Sequence, residues 1–256
     1  GTGAVEIKSG YGLSTDSELK MLRVIKKLKQ TSDITIKSTF LGAHAIPKKY
    51  ESNRKQYLDL IINEMLPLIA DENLADYIDV FCEKNYFSVE ETIKILNAGK
   101  KYKLQAKTHV NQFNAIGGVK ASVDSGALSV DHLEILMKDD IISLTESKCM
   151  PTALPSCSFF LGLPYSPVRE LINNNLPVAI ASDYNPGSSP SGNMNFILSL
   201  ACIKLKMTPE QVINATTING AYAMGIQNEF GTITLGKKAS IFITCLLYTS
   251  PSTPHR

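Results

Sequence analysis

The stretch 104–133 limits what this chain can fold into more than any other. Leu104–Val110 is a short apolar run, 115–125 has helical spacing and stops at Gly126, and Leu128–Leu133 is a second apolar run. Strand, helix and strand within about thirty residues make a βαβ unit, whose strands are parallel neighbours. Each run carries a histidine at its end, His109 and His132, so both imidazoles are expected at the C-terminal edge of one sheet. A lone histidine is usually a packed or surface residue. Two at equivalent places on adjacent strands form a pattern, and His44 follows another strand end in the same way.

The unit repeats along the chain. Strands are predicted over 5–8, 34–41, 77–81, 104–110, 128–133, 149–154 and 177–181, each before a helical stretch. Ser14 or Thr15 caps the first helix, whose Leu19, Leu22, Ile25 and Leu28 give one buried face. Apolar spacing marks a second over 55–70, Ser88 with Glu91 forms a capping box, and Thr208 caps a late helix with Pro209 at its first position. Further helices are read over 139–147, 167–174 and 194–204. Such alternation predicts a parallel sheet with helices outside, and the strand count is one short of a closed TIM-type (β/α)8 barrel. An open doubly wound sheet is the alternative, but no GxGxxG follows the first strand, so a dinucleotide site lacks support. The runs 230–233 and 240–244 read as strands of a small extra sheet.

Composition narrows the function classes. The net charge of +2 over 256 residues gives no bias toward nucleic acid or an anionic membrane, and neither partner is expected. No apolar run approaches the roughly 18 residues of a spanning helix. The five cysteines are scattered without a CxxC pair, which fits a reducing cytoplasm. The segment 245–256 lacks periodicity and is read as a non-native tail, and the opening strand has no capping element before it.

Tyr11, His44, His109, His132 and Asp183 all fall at strand ends. A solvated rim would also be polar, but core packing does not ask for these residue types there. They suit a metal-assisted hydrolase, in which Zn²⁺ or Fe²⁺ takes imidazole and carboxylate ligands and activates water. His109 and Asp183 make two ligands where a catalytic site wants three or four. Cys82, beside Phe81, is expected to be a packed thiol, and Lys8 to be rim solvation or the partner of a carboxylate. The segment 157–160 is read as a loop that is either a lid or plain surface.

Six motifs carry a resemblance: EIKSGYGL (6–13), TFLGAHAIP (39–47), DVFCE (79–83), THVNQF (108–113), GALSVDHLE (126–134) and ASDYNPGSSP (181–190). Together, from about residue 4 to 244, they resemble the imidazolonepropionases, amidohydrolase-superfamily enzymes of histidine degradation. The resemblance implies a (β/α)8 metal-dependent hydrolase barrel over 1–225, here missing its first strand, with remnants of a small β-sandwich domain over 226–244. It implies one divalent metal, zinc or iron, with His109 and Asp183 as ligands. It makes His132 the catalytic residue that activates or orients water and carbonyl, with Asp183 able to take a proton. Tyr11 and His44 look like substrate contacts, and Gln112 like the contact to the imidazolone ring, where many relatives have Glu. Asn185, Gly187 and Ser188 look like binders of the glutamate-like end. The implied reaction adds activated water to the ring carbonyl of 4-imidazolone-5-propanoate and breaks the ring C–N bond, giving N-formimidoyl-L-glutamate. The family tends to form homodimers, which no motif here reports.

One departure stands out. The family's first strand carries a His-x-His metal pair followed by a substrate arginine, and no HxH occurs here. This agrees with the strand count, so we expect a fragment that is inactive alone. A deaminase or another cyclic amidase, and a non-catalytic scaffold, are the competing readings.

Overall fold

The computed structural model describes residues 2–241. Its strands are β1 (Ala4–Lys8), β2 (Thr35–Ala43), β3 (Tyr77–Cys82), β4 (Gln105–Val110), β5 (Ser129–His132), β6 (Met150–Ala153) and β7 (Ala179–Ile180). They form one parallel sheet in chain order, each strand hydrogen-bonded to the next. The expected strand positions hold to within a residue or two, except that the last shortens to two residues.

The sheet is curled. With strands about 4.8 Å apart, β1 and β5 would stand about 19 Å apart in a flat sheet, far beyond side-chain reach. Yet Lys8 on β1 lies 3.4 Å from Asp131 on β5. The doubly wound alternative is thereby excluded, and the architecture is that of a (β/α) barrel with an open side.

Helices cover the outer face for the reasons read from the sequence. The helix Thr15–Thr31 follows Ser14 and buries Leu19, Leu22 and Ile25. Val89–Lys101 has both halves of the Ser88–Glu91 capping box, and Pro209–Thr216 starts from Thr208. Their apolar stripes join Ile78, Val80, Val110 and Val130 of the strands in one continuous core. Full burial of each such side chain contributes about 1.5–3 kcal/mol.

The single helix expected over 55–70 is interrupted. Arg54–Leu60 and Leu66–Asp71 are joined by a π-turn at Ile61–Met65, where the Leu66 amide bonds back to the Ile61 carbonyl. Pro67 has no N–H to continue the i→i−4 ladder, and the wider turn absorbs the defect. Three further differences from the expectations appear. The stretch 157–160 is no loop but part of the helix Pro155–Leu161, with proline at its first turn. A helix at Ile218–Ala223 went unread. The stretch 230–233 is not a strand: Gly231 is left-handed (φ 91°) and packs on Ala221, while Phe230 tucks against Ile226. No strand occurs over 226–241. Most of the run 240–244 and all of 245–256 lie outside the described residues.

Candidate active site at the C-terminal edge of the sheet

The interior face of the sheet is charged, which its strand sequences signal only as isolated charges in apolar runs. Glu6 and Lys8, two apart on β1, share a face with Asp79, with Lys107 and His109, and with Asp131. Lys8 Nζ bonds Glu6 at 2.6 Å and Asp79 at 2.9 Å, and Lys107 pairs with the other oxygen of Glu6. Burial opposes ionisation of Glu6, but the ammonium groups of Lys107 and Lys8 outweigh it and bring its pKa down to about 2. Asp79 is driven the same way: burial resists, and His109 and Lys8 prevail. Lys8 is raised in turn, its burial outweighed by Asp79, Glu6 and Asp131. Lys8 is therefore a carboxylate partner rather than rim solvation.

This layer carries His109. Its Nδ1 stands 3.0 Å from Asp79 Oδ1, which holds the ring and leaves Nε2 for the edge of the sheet. A carboxylate on the far nitrogen is the arrangement that orients metal-ligating histidines.

His132 arrives by a different route. The register sets it opposite Val110, one step out of phase with the inward pair His109–Asp131. Simple alternation would send its side chain toward the helices. Instead His132 (φ 89°) and Leu133 (φ 64°) are both left-handed, and the imidazole turns inward until its centroid is 5.3 Å from that of His109. Left-handed backbone outside Gly and Asn is strained and persists where surroundings enforce it. Here Ser166 Oγ donates to the His132 carbonyl at 2.6 Å. His132 Nδ1 is 3.4 Å from Glu134 Oε1. Burial acts to lower the His132 pKa, but hydrogen bonding to Cys157 and Glu134 and the charge of Asp183 raise it well above the usual imidazole value.

The loop after β1 is shaped from beneath. Glu18, fully buried in the first helix, accepts the backbone amides of Gly10, Gly12 and Leu13 at 2.8–3.0 Å. Between them Tyr11 projects outward, 58% exposed, with its ring centroid 5.4 Å from that of His44. His44 Nδ1 meets the Gly10 carbonyl at 3.0 Å. Burial, with the nearby His109, lowers the His44 pKa; the neutral ring then donates from Nδ1 to that carbonyl and keeps Nε2 as an acceptor. Burial and the Asp183 charge raise the pKa of Tyr11.

After β4, Gln112 is buried, and its amide donates to Cys157 Sγ at 3.4 Å. After β7, Asp183 (φ 50°) begins a tight turn. Asn185 Oδ1 accepts the amides of Gly187 (2.9 Å) and Ser188 (2.8 Å), and Ser188 Oγ donates to Asp183 Oδ2 at 3.1 Å. Asn185 is thus engaged in shaping the loop that presents Asp183. Cys82 is fully buried, with its thiol pKa pushed up to about 11 by burial. Glu83 accepts the amides of Phe113 (2.9 Å) and Asn114 (3.1 Å), anchoring the segment that carries Gln112.

Tyr11 thus meets His44 and His109 meets His132 ring to ring, and the Asp183 charge reaches Tyr11, His44 and His132, whereas Asn185, Gly187 and Ser188 form the Asp183 turn. Among the described residues, two sets place three possible metal donors within 4.8 Å of one another: Asp79, His109 and Asp131, and His132, Glu134 and Cys157. Asp183 belongs to neither. The first set already holds a cation, the Lys8 ammonium. With Asp79 on Nδ1, His109 keeps Nε2 as a nitrogen of the type that can ligate a divalent metal. Asp79, Glu18 and Glu134 were not singled out from sequence, and Cys157 was read only as the start of the 157–160 segment; a buried carboxylate inside the run YIDVFC was the available signal for Asp79.

The sequence matches the profile of the amidohydrolase family over residues 7–253. This chain belongs to the amidohydrolase family. Among curated members it is similar to the imidazolonepropionase of Flavobacterium psychrophilum, 65% identical over 95% of this chain and 59% of that protein. The imidazolonepropionase of Alkaliphilus oremlandii is 45% identical over 95% of this chain and 58% of that protein. The chain thus spans about three-fifths of the length of the curated relatives it matches. Among solved amidohydrolase-like folds, a guanine deaminase from C. acetobutylicum with bound guanine superposes with a TM-score of 0.70 at 15% identity, covering 92% of this chain and 61% of that one. A zinc-bound adenosine deaminase from Xanthomonas campestris gives 0.66 at 15% identity, covering 85% and 54%. These two likenesses concern the fold. Among the described residues of this amidohydrolase chain, no helix is long and apolar enough to cross a membrane.

Proposed function

We propose that the full-length protein containing this chain is an imidazolonepropionase, opening the cyclic amide of 4-imidazolone-5-propanoate to N-formimidoyl-L-glutamate. The observation that carries the reading is the 65% identity to a relative of that name, held by a chain whose Tyr11, His44, His109, His132 and Asp183 gather at one sheet edge.

His109 through Nε2 and Asp183 through its carboxylate would hold a divalent ion, zinc or iron, with further ligands supplied from outside the described residues. Such an ion, when bound, acidifies water and polarises the carbonyl under attack. His44 Nε2 and the Tyr11 hydroxyl face the same edge and position the planar ring. Gln112 presents an amide that cannot act as a base, so proton movement falls to His132 and Asp183. Water adds its oxygen to the ring carbonyl carbon, the C–N bond breaks, and the departing ring nitrogen receives a proton from His132. Asn185, Gly187 and Ser188 shape the turn that meets the propanoate end. We further propose that the protein acts in the cytoplasm on this small molecule alone, without nucleic acid or membrane, as a homodimer.

Loss of imidazolonepropanoate in the full-length protein, assayed with and without a chelator, tests this. Chelator-sensitive turnover that His109→Ala abolishes is expected. A full-length protein that binds metal but leaves this substrate intact would overturn the reading and point to another cyclic amide or a deamination.

A further inference from the structure

We infer that His132, Glu134 and Cys157 form a second cation site, which takes a thiophilic divalent metal. One imidazole nitrogen, one carboxylate oxygen and the thiol sulfur lie within 4.8 Å of one another, and all three residues are buried. Donor atoms around a tetrahedral zinc stand about 3–4 Å apart, given bond lengths of about 2.0–2.3 Å. Closing onto an ion therefore asks for shifts of about 1 Å.

A second observation points to a ligand. Glu134 Oε2 is buried and has no hydrogen-bond partner among the described residues, while Oε1 has His132 Nδ1 at 3.4 Å and Ser158 Oγ at 3.1 Å. An unpartnered buried carboxylate oxygen is costly, and a cation is the group that would satisfy it. The other donor set makes the contrast clear. There the Lys8 ammonium lies 2.9 Å from Asp79 and 3.4 Å from Asp131, so a built-in cation fills the role. Around Glu134 the neighbours are an imidazole, a hydroxyl and a thiol; His132, the one that can carry a positive charge, lies against Oε1 and leaves Oε2 without a cation.

The donor types set the class of metal. Thiolate and imidazole together favour zinc and softer ions over magnesium or calcium. Three protein ligands leave a fourth position for water. On binding, the Cys157 thiol and the His132 imidazolium each release a proton to solvent, and the imidazole coordinates through the nitrogen so freed. Cys157 is positioned for this by the helix Pro155–Leu161, which begins just after β6, and the Gln112 amide at 3.4 Å holds its sulfur. One consequence rests on the proposed function: an ion here removes His132 from proton transfer, so metal beyond the first equivalent inhibits turnover.

The test reads binding apart from turnover. The chain is titrated with cobalt(II) and cadmium(II) while thiolate-to-metal charge-transfer absorption is followed. A saturable band is expected that persists in His109→Ala and disappears in both Cys157→Ser and Cys157→Ala, with circular dichroism confirming the fold of each. Glu134→Gln keeps the shape and is expected to weaken binding by about tenfold or more. No band in the unmodified chain, or a band that survives Cys157→Ala, overturns the inference. These readouts stand even if the full-length protein fails to turn over imidazolonepropanoate, so the two failures are distinguishable.

Discussion

The Nδ1 nitrogen of His109 sits 3.0 Å from Oδ1 of Asp79, and the other oxygen of that carboxylate sits 2.9 Å from the Lys8 ammonium. Asp79 therefore links a candidate metal ligand to the charged interior of the sheet. Asp79→Asn is expected to lower zinc affinity by about 10–100-fold, since the ring loses the charged acceptor that fixes its orientation. Calorimetric titration with Cys157→Ala in both chains, so that the His132–Glu134–Cys157 set does not contribute, measures this; equal affinities would show that Asp79 only balances Lys8.

Acid should weaken the fold through the same layer. Glu6 has a folded pKa of about 2 against an ordinary value of 4.5, with Lys107 and Lys8 overcoming the effect of burial. A depressed carboxylate stabilises the folded state above its unfolded pKa and loses that contribution as pH falls toward its folded one. Stability is thus expected to drop between about pH 4.5 and 2, by on the order of 2–3 kcal/mol from this group, with Asp79 acting in the same direction. Urea unfolding across that range is the measurement. In Glu6→Gln the acid dependence should flatten, while stability at neutral pH falls by about 3–5 kcal/mol because Lys107 is left buried without its partner.

The turn after β7 offers a separate handle. Asn185→Ala removes the acceptor of two loop amides and the donor that reaches the Asp183 carbonyl at 2.6 Å. Zinc affinity is expected to fall by about tenfold, while global stability changes by no more than about 1 kcal/mol, since the loop opens locally. Paired titration and thermal melts check this, and a large melting shift with unchanged affinity would contradict it.

Much of the architecture was legible because it follows from periodicity. Ser88 with Glu91, Thr208 with Pro209 and the β-branched strand runs each announce an element locally. The histidines read as strand-end residues for the same reason. What stayed hidden depends on long-range pairing or on torsion. Nothing in the residue type of Leu133 signals left-handed backbone, and histidine, though enriched there, does so only weakly. Glu18 looks like any first-turn acid until the 10–13 loop folds onto it. Pro67 is a visible helix breaker, yet the surrounding apolar face keeps the segment helical and the cost appears as a π-turn. Phe230–Ile233 has strand-like composition, but Gly231 and the packing of Phe230 on the last helix decide otherwise.

A sheet whose strands pair only in chain order is, mechanically, a string of nearest neighbours, and such strings come apart piecemeal. The interior charges change that connectivity. Lys8 reaches β3 at Asp79 and β5 at Asp131, and Glu6 reaches β4 at Lys107. The first strand is thus wired to units far along the sheet, so its detachment strips partners from three others at once, and unfolding that begins at one end is felt across the sheet as a single event.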